Sequence, residues 1–74
     1  MKREELLKEI AQAIQAEELH ENDVLADLDE WDSLAETTAL LTFGKALNLF
    51  PDIQKIRDCK TVADLLDIGN EKFE

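Results

Sequence analysis

Few side chains in this sequence could act as nucleophiles, because it contains one serine, one cysteine and one histidine. The serine, Ser33, lies within Asp29-Glu30-Trp31-Asp32-Ser33-Leu34, where an acidic segment meets the start of an apolar helical pattern. No Gly-x-Ser-x-Gly turn surrounds Ser33, and the chain offers no clear base to activate its hydroxyl. We therefore expect that the chain is not an enzyme and that His20 is an exposed loop residue.

Cys59 is expected to be a partly buried structural residue. Arg57 and Lys60 are close to it in sequence and could lower the pKa of its thiol. A lone cysteine cannot form an internal disulfide, so the sequence implies no oxidising environment. The N-terminus lacks an apolar signal-peptide core, and no apolar run is long enough to span a membrane. These features favour a cytoplasmic protein.

The acids that follow Asp27 suggest a calcium-binding loop, since Asp27 and Asp29 match the first two ligand positions of that pattern. The third ligand position is then occupied by Trp31, which has no side-chain oxygen. Asp32 falls where the loop requires glycine, and Thr38 falls where it requires a bidentate glutamate. The calcium-loop pattern therefore fails at Trp31, Asp32 and Thr38, and we expect no metal site.

The composition is strongly acidic, with 18 acidic and 8 basic residues and a net charge of −10 in 74 residues. Nucleic acids and anionic membranes attract basic surfaces, so neither is expected as a partner. Basic protein partners are favoured because opposite fields accelerate encounter, although acidity can also serve solubility alone. The length predicts a single domain over residues 1–74, with a thin core and little room for a deep catalytic cleft. We expect a monomer.

The chain begins with an amphipathic helix, predicted over residues 4–16. The apolar residues of its inward face recur at spacings of three and four: Leu6, Leu7, Ile10, Ala13 and Ile14. Residues 17–31 follow as a long acidic loop, and compact domains rarely contain such a loop unless it has a function. We expect this loop to be held to the core by Val24, Leu25 and Leu28.

A second helix is predicted over residues 33–47. Its broad apolar stripe consists of Leu34, Leu40, Leu41, Phe43 and Leu47. Ser33 and Glu36 fit a capping box, in which the serine accepts a hydrogen bond from the amide three residues on and the glutamate reaches back. The hydroxyl of Thr37 is expected to donate to the carbonyl of Ser33. Taken alone, Ser33 is therefore a candidate helix cap with no further role.

Two shorter helices are predicted in the C-terminal part. Pro51 can occupy the first turn of a short third helix that ends near Asp58. Thr61 and Asp64 resemble a capping box at the start of the fourth helix, and Gly69 is its expected C-terminal cap.

The end of the chain, residues 70–74, is expected to fray, with Phe73 able to pack back. No segment alternates like a strand. The sequence therefore predicts an all-α four-helix bundle with a long acidic loop between helices 1 and 2 and a short third helix.

The motif Asp32-Ser33-Leu34 resembles the Asp-Ser-Leu attachment motif of the acyl carrier protein family. The resemblance covers essentially the whole chain, from the amphipathic first helix and the acidic loop to the proline-led short helix and a fourth helix that opens with Thr61-Val62. It implies an acyl-carrier-type bundle in which a separate phosphopantetheinyl transferase esterifies Ser33 with 4'-phosphopantetheine from coenzyme A. By the same resemblance, Asp32 helps to organise the transferase's metal and the serine, and Leu34 packs beside the serine and contacts partners.

The resemblance also implies a function. The thiol of the arm would hold an acyl group as a thioester, and the carrier would shuttle it between enzymes of fatty-acid, polyketide or related biosynthesis. The expected partners are the transferase and the acyl-loading and acyl-processing enzymes, which would dock through basic patches. The residues expected to contact these partners are Asp29, Glu30, Trp31 and Glu36.

The sequence departs from the family pattern around the motif. Glu30 stands where most members have glycine. Ala35, Thr38, Gly44 and Lys45 occupy positions on the second helix that are acidic in many members, whereas here the acids lie in the preceding loop. These differences predict a specialised carrier rather than the housekeeping fatty-acid member.

Two alternatives stay open. The same arm could hold an aminoacyl or peptidyl group, whereas a cavity between helices, lined by Leu41, Ile56 and Ala63, would favour an alkyl cargo. In the second alternative the chain is an acidic helical adaptor that binds a protein without a prosthetic group, and Ser33 is only a helix cap.

Overall fold

The computed structural model describes residues 1–73, which form four α-helices and two short 3-10 helices. The α-helices are α1 (Arg3–Ala13), α2 (Ser33–Leu47), α3 (Ile53–Arg57) and α4 (Val62–Asp67), and the 3-10 helices span Leu25–Asp27 and Asn70–Lys72. No β-strand forms within residues 1–73. The all-α prediction is therefore confirmed for the described chain, with residues 14–32 separating α1 from α2.

Helix α1 ends at Ala13, before the predicted end at residue 16. Gln15 adopts a left-handed backbone conformation with a φ of 62°. The amide of Ala16 then donates to the carbonyl of Ala11 at 2.8 Å, and the amide of Gln15 donates to the carbonyl of Gln12 at 3.2 Å. These are the hydrogen bonds of a Schellman motif, in which glycine is the usual left-handed residue. Because glutamine stands there instead, the sequence offers no signal for the end of the helix.

The hydrophobic core receives side chains from all four α-helices and from the long loop. Its largest fully buried side chains are Phe43, Leu6, Ile10, Leu25, Ile56, Leu65, Leu66 and Val62. The predicted inward face of α1 is confirmed at Leu6, Ile10 and Ile14, whereas Leu7 and Ala13 are only half-buried.

The predicted apolar stripe of α2 is confirmed in part, since Leu47 is buried and Leu40 packs on the core. Phe43 is buried as predicted, but Leu34 is 73% exposed and Leu41 is 65% exposed. The buried face instead includes Ala35 and Ala39, whose small side chains allow neighbouring helices to approach closely. The two exposed leucines are seven positions apart, so they share the outer face of the helix.

The loop of residues 14–32 is held against the start of α4 by backbone hydrogen bonds. The amide of Leu25 donates to the carbonyl of Lys60 at 2.9 Å, and the amide of Val62 donates to the carbonyl of Asp23 at 3.0 Å. The second bond uses one of the amides that have no acceptor within a helix at its first turn. The loop therefore supplies an acceptor for the first turn of α4, and the start of α4 in turn holds the loop in place.

Only two of the three side chains predicted to hold this loop to the core do so. Leu25 and Leu28 pack on the core as expected, but the side chain of Val24 is 42% exposed. Val24 contributes through its backbone instead, which forms an isolated antiparallel bridge with Thr61. Leu19 is buried as well. The path of the loop thus depends on backbone pairing together with apolar burial.

Arg3 connects α1, the loop and α4 through one guanidinium group. Its Nε donates to Glu21 at 2.9 Å, and its two terminal nitrogens lie 2.8 Å from the carboxylates of Glu21 and Asp67. One terminal nitrogen also donates to the carbonyl of Ala63 at 3.1 Å. The planar fork of arginine suits such simultaneous contacts, and the side chain is half-buried.

Helices α3 and α4 begin at side-chain caps. Asp52 accepts a hydrogen bond from the amide two residues on, at 3.2 Å, so α3 starts after Pro51 and is shorter than predicted. The predicted capping box of Thr61 and Asp64 is confirmed, since each side chain accepts from the other's amide at 3.1 to 3.2 Å. Hydrogen bonds from the amides of Lys60 and Thr61 hold the pKa of Asp64 below its usual value.

The last described residues pack onto the core. Residues Asn70–Lys72 form a 3-10 helix and Phe73 is half-buried against the core, so the predicted fraying is wrong for residues 70–73, and residue 74 lies outside the described residues. The predicted return of Phe73 is confirmed. Gly69 is not the left-handed cap that the sequence predicts, since its φ is −96°. Its lack of a side chain serves packing instead, because a Cβ would lie 2.6 Å from Cδ1 of Leu47.

We expect Arg3→Ala to lower the free energy of unfolding by about 1–2 kcal/mol, because it removes charge-assisted hydrogen bonds made from a half-buried position. Arg3→Lys should restore only part of this stability, since an ammonium group cannot reproduce the planar fork. Urea unfolding followed by circular dichroism measures both changes. Lys2→Ala is the matched control for the lost charge, and equal destabilisation by Lys2→Ala and Arg3→Ala would contradict this role.

Candidate functional site

The start of α2 is capped by Asp32, and Ser33 occupies the first helical position. The backbone of Asp32 is extended, with φ −130° and ψ −172°, and its carboxylate accepts a hydrogen bond from the amide of Ala35 at 2.8 Å. The predicted capping box of Ser33 and Glu36 is therefore wrong. Because Ser33 is already within the helix, its side chain is displaced from the amides that a cap must reach.

The hydroxyl of Ser33 is free to react. Ser33 is exposed, and its side chain makes no hydrogen bond to any of residues 1–73. Its carbonyl accepts from the hydroxyl of Thr37 at 3.2 Å, as predicted, which ties the residue into the first turn. The amides of Ser33 and Leu34 have no acceptor within the described chain, and they give this end of a 15-residue helix a partial positive charge. The site thus presents a fixed hydroxyl beside donors that favour a phosphate.

The four residues predicted to contact partners differ in their exposure. Asp29 and Glu30 are exposed in the turn that precedes the cap. Trp31 is half-buried against the core, and its amide donates to the carbonyl of Leu28 at 3.1 Å. Glu36 is only 18% exposed and its Oε1 lies 3.5 Å from Nε of Arg57, on the side of α2 that packs towards α3. Of these four residues, Asp29 and Glu30 are the most accessible to another molecule.

Three large apolar side chains are exposed on α2 and in the segment that follows it. We call Leu34, Leu41 and Phe50 the outer apolar face; they are 73%, 65% and 73% exposed. The ring of Phe50 lies over the backbone of Gly44, where any side chain would clash with it. Sequence periodicity alone does not identify this surface, because Leu34 and Leu41 also fit a buried stripe.

The predicted internal cavity is not formed by Leu41, Ile56 and Ala63, because Leu41 points outward while Ile56 is fully buried. A surface cleft of about 340 Å³ lies between the end of α1 and the start of α2 instead, and Ser33 is not among the residues that line it. We call it the proximal cleft; its walls include Ala13, Gln15, Glu30, Leu34, Ala35 and Thr38. Gln15 lines this cleft although nothing in its sequence context indicates a site.

Cys59 is a half-buried thiol, as predicted, and the lowering of its pKa that Arg57 and Lys60 could have caused does not occur. Burial raises the pKa of Cys59 to about 11, and the carboxylates of Asp64, Asp58 and Asp67 add to the effect. The thiol donates to the carbonyl of Lys55 at 3.2 Å. Burial of the thiol, supported by these carboxylates, therefore outweighs the basic neighbours in sequence.

The remaining candidate residue named from the sequence is His20. His20 is an exposed loop residue, as predicted, and its Nε2 lies 3.2 Å from Oε1 of Glu18. No group of three or more His, Cys, Asp or Glu side chains within residues 1–73 is arranged to bind a metal ion. None of the helices in that part of the chain is long and apolar enough to cross a membrane.

Comparison with known proteins found no family model, no curated protein and no solved structure that matches this chain. The resemblance to acyl carrier proteins therefore stays a prediction, based on Asp32-Ser33-Leu34 and the order of the helices.

We expect Asp32→Ala to cost about 1 kcal/mol of stability, because it removes the side-chain cap of α2. Asp32→Asn should stay close to the wild type, since asparagine caps helices as well as aspartate does. Ser33→Ala should change the free energy of unfolding by less than about 0.5 kcal/mol, because the hydroxyl has no partner to lose. Urea unfolding of the three variants tests this ranking. A larger loss for Ser33→Ala than for Asp32→Ala would show that the serine is the cap.

We expect iodoacetamide at pH 8 to alkylate Cys59 about tenfold more slowly in the folded protein than in the urea-unfolded chain. The raised pKa reduces the thiolate population about a hundredfold, and the higher nucleophilicity of a more basic thiolate recovers part of the rate. Mass spectrometry of timed samples measures both rates. Equal rates in the two states would contradict the raised pKa.

Proposed function

We propose that this chain is a carrier protein of acyl-carrier type, with a 4'-phosphopantetheine arm attached to Ser33. The observation that supports this most directly is an exposed, unpartnered serine hydroxyl at the first position of a long helix. The neighbouring Asp32 holds that position fixed through its cap to Ala35. A serine that merely capped the helix would have its hydroxyl engaged with the backbone.

The residues at the site fit the arm. The free amides of Ser33 and Leu34 and the positive end of α2 suit the phosphate, and the exposed position gives a transferase access to the hydroxyl. In the loading reaction Ser33 Oγ forms the phosphate ester, adenosine bisphosphate leaves coenzyme A, and the hydroxyl proton passes to the transferase. Once attached, the arm supplies a terminal thiol that can hold an acyl, aminoacyl or peptidyl cargo as a thioester.

The surface around Ser33 suits brief encounters with partner enzymes. Asp29 and Glu30 are exposed beside it and would steer a basic docking patch towards the serine. The outer apolar face, which begins at Leu34, would then provide a small desolvated contact. Because α2 presents leucines and Lys45 rather than acids along this face, we propose a specialised carrier whose partners recognise apolar surface on this helix.

A second candidate function is an acidic adaptor that binds a protein without an arm. The outer apolar face favours it, because three large exposed apolar side chains are an adequate nucleus for a protein contact. In that case Ser33 has no chemical role, and binding would depend on Leu34, Leu41 and Phe50.

The proposed function predicts that coenzyme A and a broad-specificity phosphopantetheinyl transferase add one phosphopantetheine group to the wild-type chain. Intact-mass spectrometry detects the adduct, and Ser33→Ala should show none while remaining folded. Asp32→Asn keeps the helix cap, so a slower loading of this variant would assign the aspartate carboxylate a role in the transfer itself.

The outcome distinguishes the two functions. A single adduct on Ser33 supports the carrier. No adduct with several transferases that load a control carrier in parallel would overturn it in favour of the adaptor. An adduct that persists in Ser33→Ala would place the attachment at another residue and contradict the proposal.

A further inference from the structure

The ring of Phe50 lies on the backbone of α2 while most of it faces solvent. Phe50 is 73% exposed, and a Cβ built on Gly44 would lie 3.0 Å from its Cδ1 and 3.1 Å from its Cζ. The ring can therefore keep this position only above a glycine. Glycine weakens a helix relative to alanine, and here it does so within α2.

Burial does not explain this pairing of Phe50 with Gly44. The neighbouring Leu49 and Ile53 pack on the hydrophobic core, whereas Phe50 is not among the side chains that do so. Alanine in place of glycine would favour the helix, and a polar residue in place of phenylalanine would expose less apolar surface. A large apolar ring that is positioned but left in solvent indicates a contact with another molecule.

Phe50 continues the row that Leu34 and Leu41 begin. The two leucines are seven positions apart and share one face of α2. Gly44 follows Leu41 by three positions, so the ring above it lies about one turn further along the same helix. From Leu34 to Gly44 the row covers roughly 15 Å along the helix axis.

The part of α2 between the two leucines adds no charge to this face. Thr37 and Thr38 lie there, and their hydroxyls donate to backbone carbonyls one turn back, at 3.2 and 2.9 Å. The nearby Glu36 is only 18% exposed and pairs with Arg57 of α3 instead. A partner can therefore cover the row without burying an unpaired charge.

The two ends of the row differ in charge. Asp29 and Glu30 are exposed just before α2, and Glu30 lines the proximal cleft together with Leu34. Lys45 is exposed in the last turn of α2, four positions after Leu41. None of these three charged side chains forms an ion pair within residues 1–73. A complementary partner is therefore basic at the Leu34 end and acidic at the other.

A second copy of this chain fits the outer apolar face poorly. Each copy carries a net charge of −10, so two copies repel each other. Three apolar side chains also supply only part of the roughly 800 Å² that each partner buries in a stable interface. A helix of a less acidic protein fits better, because its apolar side chains recur along one line and its ends can carry opposite charges.

We propose that the outer apolar face docks an amphipathic helix of a partner protein and that Phe50, positioned by Gly44, is the main apolar contact. The partner helix runs antiparallel to α2, with basic residues in its last turn beside Asp29 and Glu30 and acids in its first turn beside Lys45. These charges also suit the dipole of the partner helix itself. The inference rests on the proposed function, since it names the element by which an enzyme would recognise the carrier.

The test titrates the unloaded wild-type chain with a synthetic peptide and follows amide chemical shifts by two-dimensional NMR. The peptide has about twelve residues and a side-chain lactam, because so short a helix is marginal in water. It carries leucines at spacings of three and four, glutamates in its first turn and lysines in its last. Saturable shifts at Leu34, Leu41 and Phe50 are expected. No binding, or shifts confined to other surfaces, would overturn the inference.

A control peptide of the same composition exchanges the glutamates and the lysines. It should bind several-fold more weakly at low salt, and the difference should shrink as salt is added, because exposed charges are screened. Equal binding of the two peptides at low salt would contradict the proposed orientation.

Gly44→Ala separates docking from a purely structural role. It displaces the ring of Phe50 and favours the helix, so peptide binding should weaken about tenfold while the urea midpoint does not fall. Phe50→Ser should weaken binding to a similar extent. Val24→Ser is the matched control, because Val24 is exposed by 42% and lies in the loop rather than on this face. Unchanged binding in both Gly44→Ala and Phe50→Ser would overturn the role of Phe50.

Failure of the proposed function is distinguishable from failure of the inference, because the titration needs no prosthetic group. Loading of Ser33 without peptide binding would overturn the inference and leave the carrier function in place. Peptide binding without loading would support the docking face and favour the adaptor. Sedimentation equilibrium of the chain alone tests the other occupant. Self-association that Phe50→Ser abolishes would overturn the partner helix in favour of a second copy.

Discussion

The backbone pairing between the long loop and the start of α4 is the constraint on which the rest of this structure depends. The loop of residues 14–32 is rich in carboxylates, and the apolar side chains that pack it on the core, such as Leu19 and Leu25, are spaced apart along it. The hydrogen bonds of Leu25 to Lys60 and of Val62 to Asp23 fix its middle, and Arg3 connects Glu21 of the loop to α1 and to Asp67 of α4. With the middle fixed and Leu28 and Trp31 packed on the core, the loop delivers the chain to the first turn of α2 in one orientation.

That orientation makes Asp32 the helix cap and leaves the hydroxyl of Ser33 exposed, although either side chain could have capped the helix. Asp32 is extended and faces back over the helix, so it satisfies an amide, while Ser33 is already helical and faces solvent. A capping hydroxyl would be occupied, but a hydroxyl one position further on is free and yet positioned by a rigid element. The distinction is a matter of a single residue along the chain, and it is the feature that makes the site suitable for modification.

The same small side chains determine both the packing and the surface of α2. Because Ala35 and Ala39 face inward, the larger Leu34 and Leu41 are left on the outside. Small residues at the junction with α1, among them Ala13 and Ala35, also leave the proximal cleft. An inward row of leucines would have filled that junction. The outer apolar face and the proximal cleft are thus two consequences of one choice of residues.

The sequence by itself determined the features that depend on near neighbours along the chain: an all-α fold, the inward face of α1, and the capping box of Thr61 and Asp64. Periodicity and local hydrogen bonds specify these without reference to distant segments. Only the tertiary structure decided which face of α2 is buried and in which direction the pKa of Cys59 moves. The first depends on packing against helices remote in sequence, since α2 has apolar residues on more than one face. The second depends mainly on burial of the thiol, which only the packed structure defines.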